Sequence, residues 1–230
     1  MKALINYEIA EAFSKISNIQ AIPLKPYSRL DAPVASHADM LFCVLDDVVF
    51  CYEGYVKENR LVETIEKEGY KVIFISNKCE KQYPYDISLN VLVMGKTLYC
   101  NEKYTAMEIL NYAKSRGYTI IDVKQGYSAC STLVVDENTA ITSDFGIAKA
   151  VKSSHKKAII VNCDDVVLTG YDHGFIGGST AKINDKIYVF GEISKMNFKN
   201  ELETISKDQK CEIIPILAGR VYDFGGVKLL

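Results

Sequence analysis

The chain lacks any excess of basic charge: 27 Lys and Arg stand against 29 Asp and Glu, a formal charge of -2 over 230 residues. With no cationic surplus to neutralise a phosphate backbone, nucleic acid is not an expected partner. No stretch approaches the ~20 apolar residues of a membrane-spanning helix, so no membrane association is expected. The opening residues, MKALINYEIAEAF, place Glu8 and Glu11 where a signal peptide has its apolar run, which predicts a cytoplasmic protein. Seven cysteines are present, an odd number, and no two are spaced as CxxC. A secreted disulfide framework and zinc-finger spacing are thereby excluded, and most of the thiols read as small buried apolar groups. There is no phosphate loop, GxGxxG, GxSxG or HExxH either, so no metal and no organic cofactor is expected.

What is present is an ordinary globular composition, 48% apolar and 24% charged residues, and a repeat. Four apolar, β-branched hairpins stand out: LFCV-LDD-VVFCY, NVLV-MGK-TLYCN, STLVV-DEN-TAITS and TAKI-ND-KIYVF. Their turns centre on Asp47, Gly95, Glu137 and Asn184, which are 48, 42 and 47 residues apart. Each hairpin is followed by a helical pattern and then an apolar strand. The helical segments are VKENRLVETIEKEGY, EKYTAMEILNYAKSRGY, DFGIAKAVKSS and SKMNFKNELETISKD. Gly69 and Gly117 are placed to stop the first two, and Asp144 to cap the third.

Two ends remain unpaired. The C-terminal GGVKLL reads as a strand, and the N-terminus as strand, helix, strand (KALINY, EIAEAFSKIS, IQAIPL). Joined head to tail they form a fifth unit of the same order. The expected fold is therefore α/β, five ββαβ units around an axis in one domain spanning residues 1–230, with the fifth unit made by both termini. Closure of this kind leaves no exposed sheet edge. An open mixed sheet is the competing arrangement; a WD-type propeller has a similar period but no helix in its unit.

This architecture resembles the pentein superfamily, the guanidine-modifying enzyme fold, as do HADMLF, GFIGGST and DFGGVKLL. YPYDISLN, VKQGYSACS and YDHGFIGGST resemble an uncharacterised bacterial branch of it. The resemblance implies a Cys thiolate attacking a guanidino carbon, a His as acid and base, and carboxylates gripping the planar cation. It also implies a nucleophile near the C-terminus, where this chain has approximately Leu229. The standard triad in its standard place is thus missing.

Candidate site residues follow with their alternatives. His37 and Asp39 resemble the family's His-x-Asp element, proton shuttle and cation anchor, or are a loop His and a turn-capping Asp. Cys130 is the candidate nucleophile, with Lys124 to lower its pKa, or is one more inert buried thiol. Asp86 and Asp223 open the second and fifth hairpins at a register like that of Asp39. Facing one another, the three would favour a cationic ligand; alone, each caps a local turn. Asp172 and Ser179 flank paired glycines that let a ligand approach, or are turn chemistry. Arg220 orients a substrate carboxylate or pairs with Asp223. Two functions fit: a hydrolase or amidinotransferase acting on a small guanidino or amidine compound, or a non-catalytic protein binding a small cationic ligand or a macromolecular partner, as the ribosome anti-association factors among the penteins do.

Overall fold

The four hairpins, and the strand made by the chain's end, each form the start of a separate three-stranded sheet. The computed structural model describes residues 1–230, apart from the side chain of Lys195. The chain opens with β1 (Lys2–Asn6), α1 (Ala10–Ser17) and β2 (Gln20–Leu24). A one-turn helix, α2 (Ala38–Leu41), leads into β3 (Phe42–Leu45) and β4 (Val48–Cys51), then α3 (Glu53–Glu58), α4 (Val62–Lys67) and β5 (Lys71–Phe74). The next unit is β6 (Leu92–Met94), β7 (Thr97–Cys100), α5 (Met107–Ser115) and β8 (Thr119–Asp122). It is followed by β9 (Thr132–Asp136), β10 (Thr139–Thr142), α6 (Phe145–Ser153) and β11 (Lys157–Ile160). A second one-turn helix, α7 (Ile176–Ser179), precedes β12 (Thr180–Ile183), β13 (Lys186–Val189), α8 (Lys199–Asp208) and β14 (Glu212–Pro215). The chain closes with β15 (Val227–Leu229).

In all five sheets the first two strands pair antiparallel, and the third pairs parallel to the second after a helical crossover. The unit from the two termini obeys the same order: β15 pairs antiparallel with β1, Ala3 opposite Leu229. The second strands β4 and β10 are buried at every position, while β5, β8 and β14 are half exposed. That difference follows from position: a middle strand covered on both faces reads as a continuous apolar run.

Four of the crossover helices stop in the same way. Gly69, Gly117, His155 and Lys210 take left-handed backbone at φ 91°, 74°, 62° and 52°. The amide that follows each reaches back to the last turn, as Tyr118 N does to Ala113 O at 2.9 Å. One expectation is corrected here. VKENRLVETIEKEGY is two helices, because the same ending occurs early at Arg60, φ 55°. Arg60 N donates to Lys57 O and Leu61 N to Val56 O, while the Asn59 amide donates to Tyr55 O. Asp144 caps α6 by accepting from Ile147 N at 2.7 Å. Among the described residues, no helix is long and apolar enough to cross a membrane.

Candidate functional site

Strands β3, β6, β9, β12 and β15 line one central cavity of about 290 Å³, with Lys182 and Lys228 on its walls. At its inner end stand Asp39, Ala129, Gly177 and Gly225. On the other side of these groups a second hollow of about 200 Å³ opens, the pit, lined by His37, Tyr127, Cys130, Phe175 and Asp223 together with Leu168 and Tyr171. The segments leading into the first strands meet between the two hollows. Backbone hydrogen bonds tie them together: Asp39 N to Gly225 O, Gly178 N to Cys130 O, and Gly226 N to Gly178 O.

Glycine is required at this junction. A Cβ on Gly178 would lie 1.9 Å from Asp223 Oδ1, and one on Gly225, at φ 78°, would lie 2.2 Å from the Cβ of His37. Side chains absent at these two positions leave the room that Asp223 and His37 occupy.

Asp223 is 4% exposed and anchored, accepting Phe175 N at 2.8 Å and Gly225 N at 2.9 Å. His37 is 1% exposed, and its Nδ1 lies 3.7 Å from Asp223 Oδ1, beyond hydrogen-bond reach. Asp39 is 3% exposed. Neither ring nitrogen of His37 and neither carboxylate oxygen of Asp39 has a hydrogen-bond partner in the protein. Burial pushes the Asp39 carboxyl up to about 6, and Asp223 adds to the rise; His37 and Lys228 oppose it. Burial outweighs these opposing groups, so ionising this carboxyl carries a desolvation cost.

Cys130 is 4% exposed. Its turn is held by Asn90, whose Oδ1 accepts Ala129 N at 2.8 Å and whose Nδ2 donates to the Cys130 sulfur at 3.0 Å. Burial, then the Asp39 and Asp223 carboxylates, push the thiol well above its usual range, while the Asn90 amide opposes them. A cation between the two carboxylates would remove the electrostatic part of that rise.

The sequence-derived candidates divide accordingly. His37, Cys130, Asp172 and Asp223 line the pit, and Asp39, whose carboxylate neighbours the Cys130 thiol, lines the central cavity at the junction between the two. Asp86 does not join Asp39 and Asp223 across one mouth. Its carboxylate accepts the Tyr127 hydroxyl at 2.7 Å, supporting the pit wall from behind, and burial raises its pKa. Lys124 is exposed and contributes its carbonyl to the Asn101 amide rather than a charge to Cys130. Ser179 is fully buried, its hydroxyl turned back onto Ile176 O at 3.2 Å within α7. Arg220 is exposed and lines a separate cavity with Asp165 and Glu192; Asp223 takes backbone N–H groups in its stead. Asn90, Tyr127 and Phe175 were not singled out from the sequence. Asn90 and Tyr127 lie in YPYDISLN and VKQGYSACS, and the polar character of these connections between core strands is the available signal.

Comparison with known proteins bears on the fold. Among curated proteins none matches in sequence. Solved structures do match in shape. A DDAH from Pseudomonas aeruginosa, a Cys-to-Ser mutant in complex with citrulline, is 10% identical with a TM-score of 0.57, covering 97% of this chain and 87% of its own. The inosamine-phosphate amidinotransferase StrB1 from Streptomyces griseus is 12% identical with a TM-score of 0.56, covering 95% and 75%. A Cys-to-Ser C. jejuni agmatine deiminase with substrate bound is 12% identical with a TM-score of 0.53, covering 90% and 73%. These relatives are guanidine-modifying enzymes, and the shared architecture is the pentein fold. The model of one sequence family matches residues 2–228, almost the whole length: the chain belongs to the family of unknown function DUF6873, built on the pentein fold.

Proposed function

We propose that one domain of five ββαβ units, residues 1–230, surrounds a site for a small guanidino or amidine cation, and that Cys130 attacks the central carbon of that cation. The observation that carries this reading is the convergence at one junction of the thiol of Cys130, the unpartnered imidazole of His37 and the unpartnered carboxylate of Asp39. The planar cation would sit between Asp39 and Asp223 and match the fork of a carboxylate. Its charge would offset the repulsion that keeps the thiol protonated. Cys130 then gives its proton to His37, and the sulfur forms a bond to the amidino carbon. His37 returns the proton to the departing nitrogen as the C–N bond breaks, leaving an S-linked amidinium. In hydrolysis, water adds to that carbon, gives a proton to His37, and the C–S bond breaks to restore the thiol. In amidino transfer an amine takes the place of water. The seven cysteines are all free, which supports a reducing, cytoplasmic setting.

The test compares a cationic and a neutral alkylating reagent. Chloroacetamidine carries the amidinium the site is built for, and iodoacetamide does not. The expected result is selective alkylation of Cys130 among the seven thiols, its sulfur bonding to the CH2 carbon as chloride leaves, suppressed in Asp39→Asn. Reaction at other cysteines with Cys130 left unmodified overturns the nucleophile assignment. The strongly raised thiol favours a second reading, a non-catalytic binder of the same cation. Thermal stabilisation by guanidino compounds without any adduct at Cys130 identifies that case.

A further inference from the structure

The pit is not the whole of the recess. A groove of about 630 Å³ continues from it, sharing His173 and Phe175 with its wall. The groove is larger than the pit, so a ligand seated with its cationic head in the pit has room for a body well beyond a bare guanidinium. His173 and Phe175 form the step between them, their rings 5.7 Å apart and nearly perpendicular.

The charges along this path are of one sign. Asp172 and Asp223 line the pit, and Asp144 and Asp164 line the groove. Among the described residues, no Lys or Arg lines either. The lysines near the molecular centre, Lys182 and Lys228, are on the opposite cavity instead. Asp144 accepts Ile147 N and the Gln125 amide, and Asp164 accepts the Asn162 amide. Neutral donors leave each of these carboxylates its net charge. The two buried nitrogens of His37 are polar groups of the pit without partners in the protein.

A ligand carboxylate entering this path would meet acidic side chains with no Lys or Arg to receive it, an arrangement that disfavours such ligands. A second cation would instead find Asp144 and Asp164 ahead of it and the ring faces of Phe175 and Tyr171 beside it. We infer that pit and groove together select guanidino-amines, molecules with a guanidinium at one end, an amine at the other and no carboxylate, over guanidino acids. This rests on the guanidine reading above and names the substrate class within it.

The experiment is calorimetric titration of the full chain with agmatine, L-arginine, L-arginine methyl ester, guanidinium chloride and putrescine at one pH and moderate salt. Agmatine is expected to bind at least ten-fold tighter than L-arginine, and masking the carboxylate as the ester is expected to recover most of the difference. Asp164→Asn is expected to narrow the agmatine-to-arginine ratio while leaving guanidinium chloride affinity unchanged. L-Arginine binding as tightly as agmatine overturns the selectivity and leaves the guanidine site standing. Putrescine binding as tightly as agmatine, or no guanidino compound binding at all, overturns the guanidine reading itself.

Discussion

Replacing Asp39 by Asn removes a buried carboxylate whose ionised form burial disfavours, and the consequence depends on pH in a calculable way. In the unfolded chain an aspartate titrates near 3.9. In the fold, burial first and Asp223 second raise Asp39 to about 6. Between those values the folded state holds a proton that the unfolded state has lost, so this group makes stability fall as pH rises. At pH 7 both states are ionised and the full penalty of roughly two pKa units, about 3 kcal/mol, stands against folding. Below about pH 3 the carboxyl is protonated in both states and the penalty is gone. The amide of the Asp39→Asn variant has no such titration. The difference in unfolding free energy, variant minus wild type, is therefore expected to grow by about 3 kcal/mol between pH 3 and pH 7.5. For a chain of this size that corresponds to roughly 6–12 °C in melting temperature. Urea or thermal unfolding of both proteins across that range measures it, and taking the difference cancels the titrating groups that do not interact with Asp39. Whatever the new amide gains or loses in contacts adds a constant, so only the pH-dependent part is diagnostic. A difference that stays flat, or shrinks as pH rises, refutes the claim that burial disfavours the ionised form of Asp39. The same carboxylate is what a bound cation would neutralise, so a saturating ligand should close the gap by stabilising wild type selectively.

Two further predictions concern the frame around the pit. Asn90→Ala leaves the buried Ala129 N–H unsatisfied and removes the donor to the Cys130 sulfur. A loss of about 2–3 kcal/mol in urea unfolding is expected, together with lower selectivity of chloroacetamidine for Cys130. Gly178→Ala would set a Cβ 1.9 Å from Asp223 Oδ1, and the shift needed to relieve that contact is expected to cost about 1–3 kcal/mol. Its thermal shift with agmatine should fall more steeply than its stability, because Asp223 is what moves. An unaltered ligand response in Gly178→Ala would show that the position of Asp223 is unimportant to binding.

The elements and their recurrence are legible along the chain alone. Apolar alternation, tight turns and left-handed stops such as Gly69 and Gly117 act over a few residues, so each can be read locally, and the regular spacing of four hairpins exposes the unit. Even the orphan ends were readable, because a lone strand in GGVKLL and a strand, helix and strand at the start complete the same pattern, and β15 does pair with β1. The break at Arg60 was not, since a helical apolar pattern does not announce a left-handed residue within it.

The site arises from packing. His37, Cys130 and Asp223 are far apart in the chain, and only the convergence of the segments that precede the first strands brings them to one pit. Asp86 opens a hairpin as Asp223 does, and Arg220 is three residues from Asp223, yet one turns to Tyr127 and the other to a separate cavity. Asn90 and Gly178 do their work through atoms more than 30 residues away, one by donating and accepting at the Cys130 turn and the other by leaving room for a carboxylate. Local patterning specifies what each segment becomes. Direction of a polar side chain at a junction depends on which neighbours the close-packed interior leaves open to it, and that is a property of the assembled chain.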